Sequence, residues 1–487
     1  MKKIILYLFV MALAVDMAFA QPLFSRGYEN RSYTVDQFVN GTCAGDFDDL
    51  LTAWVLEGKK QMKQVVLFDR HLEPHNVITL PHSEEMTVLA ASVVERSRIG
   101  VLLADRSQKR STMVLACEVN IEAQAVSPYD TVVKMDYDRK DVCVVKGDAS
   151  PDGHRLGVVA VVFLADGKGQ NTYAAMFDNR VKKLWEKTVF LGTPQDILVT
   201  DEGRMVTFGY ESVSQEETKI RFNVLDEERA SNFESLVNCD PIKEMHMANV
   251  IGDYAVALGT YQPVGRRNAE KLTAGVVGIS FRFSEGKVSG LTMRPFQNED
   301  VDIFLNMKTK KIQKELSCER IAVQSYAPVS YGGVITMGRM QRVETTKTGS
   351  APVVQTQQMG LHVVAVDTTG HVRWARNLRR FDTQKKGDEP MLMGLLESDG
   401  KLCLIRTENA KEPAIYDIAK PSKQFVIGSK GNMALYTIDP QGEVEKFILE
   451  KKAKHGVLRA DKRQDGKVII LAANGKYTRA AEMLFRH

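Results

Sequence analysis

Two stretches of this chain carry residues spaced as a metal site would need them. Asp69, His71, Glu73 and His75 alternate along FDRHLEPHN. On a continuous strand all four would share one face and offer mixed nitrogen and oxygen donors to a divalent ion. Pro74 interrupts that strand, so the segment reads as a solvated turn. Asp46, Asp48 and Asp49 in GDFDD lack the ligand spacing of a known calcium loop and read as a charged turn. None of the six cysteines has C-x-x-C spacing, and no Cys/His cluster has zinc spacing. The expectation is a chain without a metal site.

Covalent catalysis is equally poorly provided for. A serine hydrolase would need a G-x-S-x-G elbow, which is missing. Gly428-Ser429-Lys430-Gly431 lacks the spacing of a phosphate loop and precedes a strand rather than a helix. No S-x-D-x-G-x-T-W box of the sialidase kind occurs; Asp367 to Trp374 comes nearest and lacks the serine. No catalytic residue and no cofactor is therefore assigned. Residue types suited to recognition do stand together: Tyr261, Arg266 and Arg267 combine an aromatic with bidentate hydrogen-bond donors at the segment QPVGRRNAEKLT, and these are the candidate binding residues.

The elements that would position such residues are strands. Runs of four to eight residues rich in Val, Ile, Leu, Phe and Tyr alternate with Gly and Asp turns. One pattern recurs: a β-run ends in aspartate, a turn follows, and an aromatic stands seven residues on. Asp178 is followed by Trp185, Asp226 by Phe233 and Asp367 by Trp374, while Asp69 and Asp439 share the first half. About 25 residues earlier lies a tight turn such as Asp201-Glu202-Gly203, Gly332-Gly333 or Asp399-Gly400. Strand, tight turn, strand, loop, strand, Asp turn, strand is one four-stranded antiparallel unit. Third strands ending near Asp69, Glu118, Asp178, Asp226, Phe283, Asp367 and Asp439 mark seven units. An eighth begins at Asp465-Gly466 and runs out of chain one strand short.

The architecture implied is all-β: a single β-propeller of eight blades, with seven the alternative if Asp399 to Asp439 is not a full blade. The segment from Phe24 to Tyr33 is placed beside Thr478–Phe485 to complete the last blade, because an unpaired edge is a liability. Two β-sandwiches would explain alternating strands but not the Asp-to-aromatic spacing. At Asp367 the sequence AVDTTGHVRW resembles the A-x-D-x-x-T-G-x-x-x-W repeat of quinoprotein-type (PQQ-like) propellers, related in form to WD40-like repeats. Ala365, Asp367, Gly370 and Trp374 match, and the Thr-Gly pair starts one position early. That resemblance covers one blade well and implies the fold; the repeat occurs in quinone-dependent dehydrogenases and in non-catalytic scaffolds alike.

In such a blade the loops alternate between two faces of the disc. The turns joining first to second and third to fourth strands are short throughout. Long segments fall in the other class: 211–218, 262–273, 340–358 and 406–431 between second and third strands, and 297–320 between blades. The last is expected to hold the one sizeable helix near 299–316, with Phe304, Lys308, Ile312 and Leu316 four apart among lysines. Loops of this length point to function.

The start of the chain sets its address. Lys2 and Lys3, the apolar run Ile4 to Val15 and Ala18-Phe19-Ala20 form a signal peptide cleaved near Ala20, which sends the protein to the periplasm, cell surface or exterior. The run is shorter than the roughly 20 residues a membrane span requires. A formal charge of +4 over 487 residues argues for neither nucleic acid nor a membrane surface as partner. Cys117, Cys143 and Cys403 sit in apolar runs as small hydrophobes; Cys43, Cys239 and Cys318 leave pairing open. The reading is an exported, non-enzymatic propeller that binds a protein, peptide or glycan through its long-loop face. The alternative is a carbohydrate-active or other hydrolytic enzyme with carboxylates in the central channel.

Overall fold

The computed structural model describes residues 22–30, 42–46, 51–58, 61–69, 73–95, 97–165, 170–189, 191–192, 194–306, 317–345, 353–384, 393–416, 418, 421–426, 429–462, 467–473 and 478–484. Eight antiparallel sheets follow one another along the chain as blades 1 to 8, spanning 42–79, 86–136, 142–187, 196–238, 242–295, 321–384, 394–453 and 456–484. Each first strand meets the first strand of the next blade, from blade 1 through blade 8, and these inner strands surround the axis. Blade 8 takes its fourth strand from the other end of the chain: Leu23–Asn30 pairs antiparallel with Thr478–Leu484, from Leu23↔Leu484 to Asn30↔Thr478. The stretch from Asp399 to Asp439 is a complete part of blade 7, which makes the ring eight-bladed. The signal peptide and its cleavage site lie outside the described residues.

Packing explains why the middle strands are continuous apolar runs rather than alternating ones. Each has a neighbouring sheet on both faces, so successive side chains enter different cores. In blade 2, Val101 and Leu103 pack toward blade 1 while Leu102 and Ala104 pack toward blade 3. In blade 3, Val158, Ala160 and Val162 face blade 2 while Val159 and Val161 face blade 4. Such a cluster fills each junction, including the closing one, where Trp54, Leu56, Val66 and Phe68 of blade 1 meet Leu471 of blade 8.

The recurring aspartate has one job in blades 1, 3, 4, 6 and 7. Its Oδ1 accepts backbone N–H groups of the turn it opens, which would otherwise stay unsatisfied. Asp178 takes Lys182 N at 2.8 Å, Asp226 takes Arg229 N at 2.7 Å, Asp367 takes Thr369 N at 2.9 Å, and Asp439 takes Glu443 N at 2.8 Å. The aromatic then stands on the fourth strand opposite the third, with Trp185 across from Met176, Phe233 from Phe222 and Trp374 from Ala365. Phe233 reaches the next blade, its ring 5.2 Å from that of Phe281.

Several expected loops prove to be strand. Segment 211–218 is paired to Ser212↔Thr218, leaving five residues between the last pair, because its exposed, mostly polar residues 211–216 form the solvent-facing end of a hairpin. Segment 340–358 is strand on either side of residues 346–352, which lie outside the described residues: the second and third strands of blade 6 run Gly332–Thr345 and Val353–Asp367 and stay in register from Met340↔Gln358 to Thr345↔Val353. The fourth strand, Val372–Gln384, follows them outward. The result is a three-stranded arm projecting from blade 6 on the long-loop face. Among the described residues the short-turn face has one exception, in blade 2, where nine residues separate Asn120 from Asp130 and a two-residue strand, Ala125–Val126, folds back on the third strand. The inserted helix covers Asn298–Phe304, and the positive φ of 50° at Asn306 follows its end; Lys308, Ile312 and Leu316 lie outside the described residues. Cys117, Cys143, Cys239 and Cys318 are free thiols. No helix among the described residues is long and apolar enough to cross a membrane.

Candidate functional site

The long-loop face over blades 5 to 7 is built from three insertions that lock together. The chain leaves blade 5 at Pro295 and enters the helix through Gln297, whose backbone N–H donates to Asp300 Oδ2 at 2.9 Å. The helix seats Val301, Ile303 and Phe304 on blade 6, and the Phe304 and Phe296 rings stand edge-on to His362. Gly360, with φ of 67°, lets the helix end close in, since a Cβ there would lie 2.7 Å from Ile303 O.

Under the helix lies a buried polar knot. Asp300, 1% exposed, accepts from Arg294 Nη1 at 2.8 Å and Asn377 Nδ2 at 2.7 Å. His362 is fully buried, which depresses its basicity and keeps the ring neutral. Nδ1–H then donates to Asn377 Oδ1 at 2.5 Å and Nε2 accepts from Arg294 Nη1 at 3.0 Å. Burial opposes the Asp300 charge, but the Arg294 guanidinium and the Gln297 backbone N–H outweigh it and hold the carboxyl below its usual range. Every member is satisfied from within, so the knot fixes the helix to the blade and offers no open position to a substrate.

Blade 7 contributes a strap from its second-to-third connection. Tyr416 Oη donates to Asn377 O, Arg379 Nε donates to Ile418 O at 2.9 Å, and Ser422 exchanges two 3.0 Å bonds with the Asn306 side chain at the helix end. Phe425–Val426 adds in parallel beside Asp382 and Thr383 of the arm. Beneath the strap, Arg380 pairs with Asp382, and Glu408 is held by Lys446, Arg406 and Tyr436. Burial lowers the basicity of Lys446, and Glu408 opposes that shift. Ile415 stands 81% exposed on top of the strap.

The sequence-derived binding residues separate. Tyr261 is 4% exposed at the end of a strand, packed into the core between blades 4 and 5, and burial pushes its hydroxyl up to about 12. Arg266 is half-buried and Arg267 exposed on the loop beyond it. That loop is tied to the end of the 297–320 insertion through Leu272↔Glu319 and Thr273↔Cys318. The tie brings the loop of blade 5 to the base of the arm. There Arg320, Met340, Gln341, Arg342 and Thr356 line a cavity of about 330 Å3, with both arginines exposed. Arg320 and Arg342 were not singled out from sequence because 340–358 read as loop; R-M-Q-R in an alternating run was the available signal.

The channel carries carboxylates of a different kind. On the inner strands, Asp148 Oδ2 accepts Val199 N at 2.9 Å, Asp196 Oδ2 accepts Met247 N at 2.8 Å, and Glu244 Oε1 accepts Val323 N at 3.1 Å. Each staples its blade to the next. Burial raises the Asp148 carboxyl to about 6 against its backbone bonds. The bond to Asp196 raises His246, whose ring stacks 4.9 Å from Tyr326. Among the proposed metal ligands, Asp69 Oδ1 accepts Glu73 N at 2.8 Å in a hairpin turn and Asp46 Oδ1 accepts Thr52 Oγ1 at 3.0 Å; His71, Asp48 and Asp49 lie outside the described residues. No cluster of three metal-type ligands occurs among the described residues.

No protein-family model matches the chain, and neither does any curated protein sequence. Solved propellers do resemble it. The Dos1 propeller is 9% identical with a TM-score of 0.44, covering 94% of this chain and 95% of its own. The WD40 domain of SCAP from fission yeast is 9% identical with a TM-score of 0.35, covering 95% and 97%. Prolyl oligopeptidase B from Galerina marginata is 9% identical with a TM-score of 0.38; it covers 90% of this chain, which spans 56% of that enzyme. A WD40 domain and a peptidase stand side by side in that set.

Proposed function

We propose that this chain is an exported, non-catalytic binding module that takes a protein, peptide or glycan on the long-loop face over blades 5 to 7. The observation that carries this reading is the cross-tying of three insertions from three blades into one rigid platform. Helix, arm and strap are joined by the Asp300 knot, the Asn306–Ser422 pair and the Phe425–Val426 strand. A merely tolerated insertion has no need to be braced against its neighbours, whereas preorganisation lowers the entropy lost on binding. Apolar side chains left exposed on this face, Val213, Val264, Ile415 and Ile418, add contact area. Arg266 and Arg267 flank it as charged anchors.

The channel supports a second reading, hydrolysis, through Asp148, whose carboxyl at about 6 is placed to hold a proton near neutral pH. Against it stands the backbone bond that each channel carboxylate already accepts. The two readings part in one experiment. Partner capture from envelope extracts is compared for the wild type, an arm shortened by joining Met340 to Gln358 through Asn-Gly, and R266A/R267A. Controls on the short-turn face are Lys182→Ala and Glu228→Ala. Loss of the same partner with the first two, and not with the controls, is the expected result; loss with the controls alone reverses the face. Turnover on glycosidase, esterase or peptidase panels that vanishes in Asp148→Asn would replace binding by catalysis.

A further inference from the structure

We propose that the channel holds a small-ligand site of its own, in which one ring of a neutral sugar stacks on Tyr326 and its hydroxyls engage Lys146 and Asp196. The site is separate from the long-loop face, and neither depends on the other. Tyr326 is 42% exposed and is the only exposed aromatic side chain among the described residues. A lone exposed ring needs no explanation by itself. What marks this one is its surroundings.

The ring is held rigid. Tyr326 stands on the first strand of blade 6, and its ring stacks on that of His246 in blade 5, 4.9 Å between centroids and 10° between planes. His246 is fixed in turn by Asp196 of blade 4, Nδ1 to Oδ2 at 3.4 Å. With one face against His246, the ring offers its other face to the channel, already oriented before a ligand arrives. Burial raises the Tyr326 hydroxyl, and the charges of Asp196 and Asp148, on blades 4 and 3, add to that. The side chain therefore reaches across the axis toward blades two and three places away. No hydrogen bond ties its hydroxyl among the described residues.

Unspent polar groups surround it. Lys146 shares a face of its strand with Asp148, two residues on. Its ammonium lies near enough to oppose the rise that the bond to Asp196 imposes on His246, and it pairs with no carboxylate among the described residues. Asp196 commits Oδ2 to Met247 N and His246 and keeps Oδ1. The four inner strands, Val142–Ala149, Asp196–Val199, Ile242–Ile251 and Ile321–Val329, and the turns that follow them at 150–154, 200–204, 252–253 and 330–331 are described without a gap.

This wall selects the ligand class. Lys146 works against a cation, and Asp148, Asp196 and Glu244 work against an anion. A hydroxyl suits an ammonium and a carboxylate together, since it accepts from the first while donating to the second. A pyranose ring adds a face of C–H groups that lies flat on an aromatic ring, with hydroxyls around its rim. A flat aromatic ligand would cover Tyr326 equally well but leave Lys146 and Asp196 without partners.

The test uses the full mature chain with four neutral disaccharides: cellobiose, maltose, lactose and diacetylchitobiose. Glucosamine, glucuronate and adenosine serve as cationic, anionic and flat aromatic comparisons. Saturation-transfer NMR reads contact between ligand C–H groups and the protein, and titration gives Kd. At least one neutral sugar should bind with a Kd below about 5 mM and at least about tenfold more tightly than any comparison compound. Tyr326→Ala should abolish that binding. Tyr326→Phe keeps the stack and loses the hydroxyl, and Lys146→Met loses the ammonium; each should weaken binding about three- to tenfold at unchanged melting temperature. No binding of any neutral sugar, tighter binding of a charged probe or of adenosine, or binding that survives Tyr326→Ala overturns the site. Such a failure leaves the long-loop face standing, because that reading is tested by partner capture with the shortened arm.

Discussion

Replacing Asp148 with asparagine should stabilise the protein at neutral pH, although it removes a charged hydrogen-bond acceptor. Asp148 sits half-buried on the inner strand of blade 3 and accepts the backbone N–H of Val199 at 2.9 Å. Burial outweighs that bond and raises the carboxyl from 3.8 to about 6. An acid whose folded value is raised costs stability wherever it is ionised in the folded state. The cost is complete above about pH 6 and fades as pH falls toward the unfolded value. Two units at about 1.4 kcal/mol each give a ceiling of about 3 kcal/mol at pH 7.5, shrinking to roughly 1 kcal/mol at pH 4.5. Asparagine keeps an oxygen for Val199 at similar volume, so the staple survives while the charge goes. Other groups also titrate: His246, raised by Asp196, adds stability that is lost as pH climbs through its folded value. Buried His362, depressed, loses stability as pH falls below its ordinary value. Both are present in wild type and variant and cancel in the difference. Urea unfolding followed by tryptophan fluorescence at the two pH values gives that difference directly. A variant no more stable than wild type at pH 7.5, or one whose advantage does not shrink at pH 4.5, refutes the reasoning.

Removing residues 21–34 deletes the strand that completes blade 8 and exposes the Thr478–Leu484 edge; calorimetry should show a melting temperature lowered by more than about 10 °C, or aggregation in place of reversible unfolding. Asp300→Ala strips the acceptor from Arg294, Asn377 and the Gln297 backbone. Leaving a partly buried arginine without its counter-charge should cost up to about 3 kcal/mol in urea unfolding, with faster hydrogen exchange across 296–306.

The ring was legible because its determinants are local. An aspartate that must cap its own turn, an aromatic seven residues later and apolar runs between Gly and Asp turns are short-range demands; the aspartate recurs in five blades and the full spacing in three. Third strands ending at Asp69, Asp178 and Asp367 coincide with those read from sequence. The platform was not legible because its determinants are long-range. The segment from Met340 to Gln358, rich in Gln and Thr, looks like loop since the side chains the arm buries, Thr356 and Gln358 among them, are polar and give no apolar alternation. Only the fourth strand beside it and the strap across it make it strand. Tyr261 reads as an exposed aromatic because it adjoins a polar loop; its own ring belongs to the strand before that loop and goes inward with Ile242 and Ala274.

The distribution of buried charge shows which part of the molecule had to be made rigid. Blades 1 to 4 are joined mainly by apolar clusters and, at the axis, by single carboxylate-to-backbone staples. Blades 5 to 7 add Arg294, Asp300, Arg380, Asp382, Arg406, Glu408 and Lys446, all with side chains at most 17% exposed. Burying ionic groups gains little stability over apolar packing of the same volume, so stability alone gives no reason to concentrate them here. What hydrogen-bonded ions supply over apolar contacts is direction: Asp300 fits its four neighbours in one arrangement, whereas Leu on Leu tolerates many. The cost of that direction is borne where helix, arm and strap meet, beneath the surface that carries Arg320 and Arg342. A surface whose shape must be the same each time a partner arrives is the structural reason to place those ions under it.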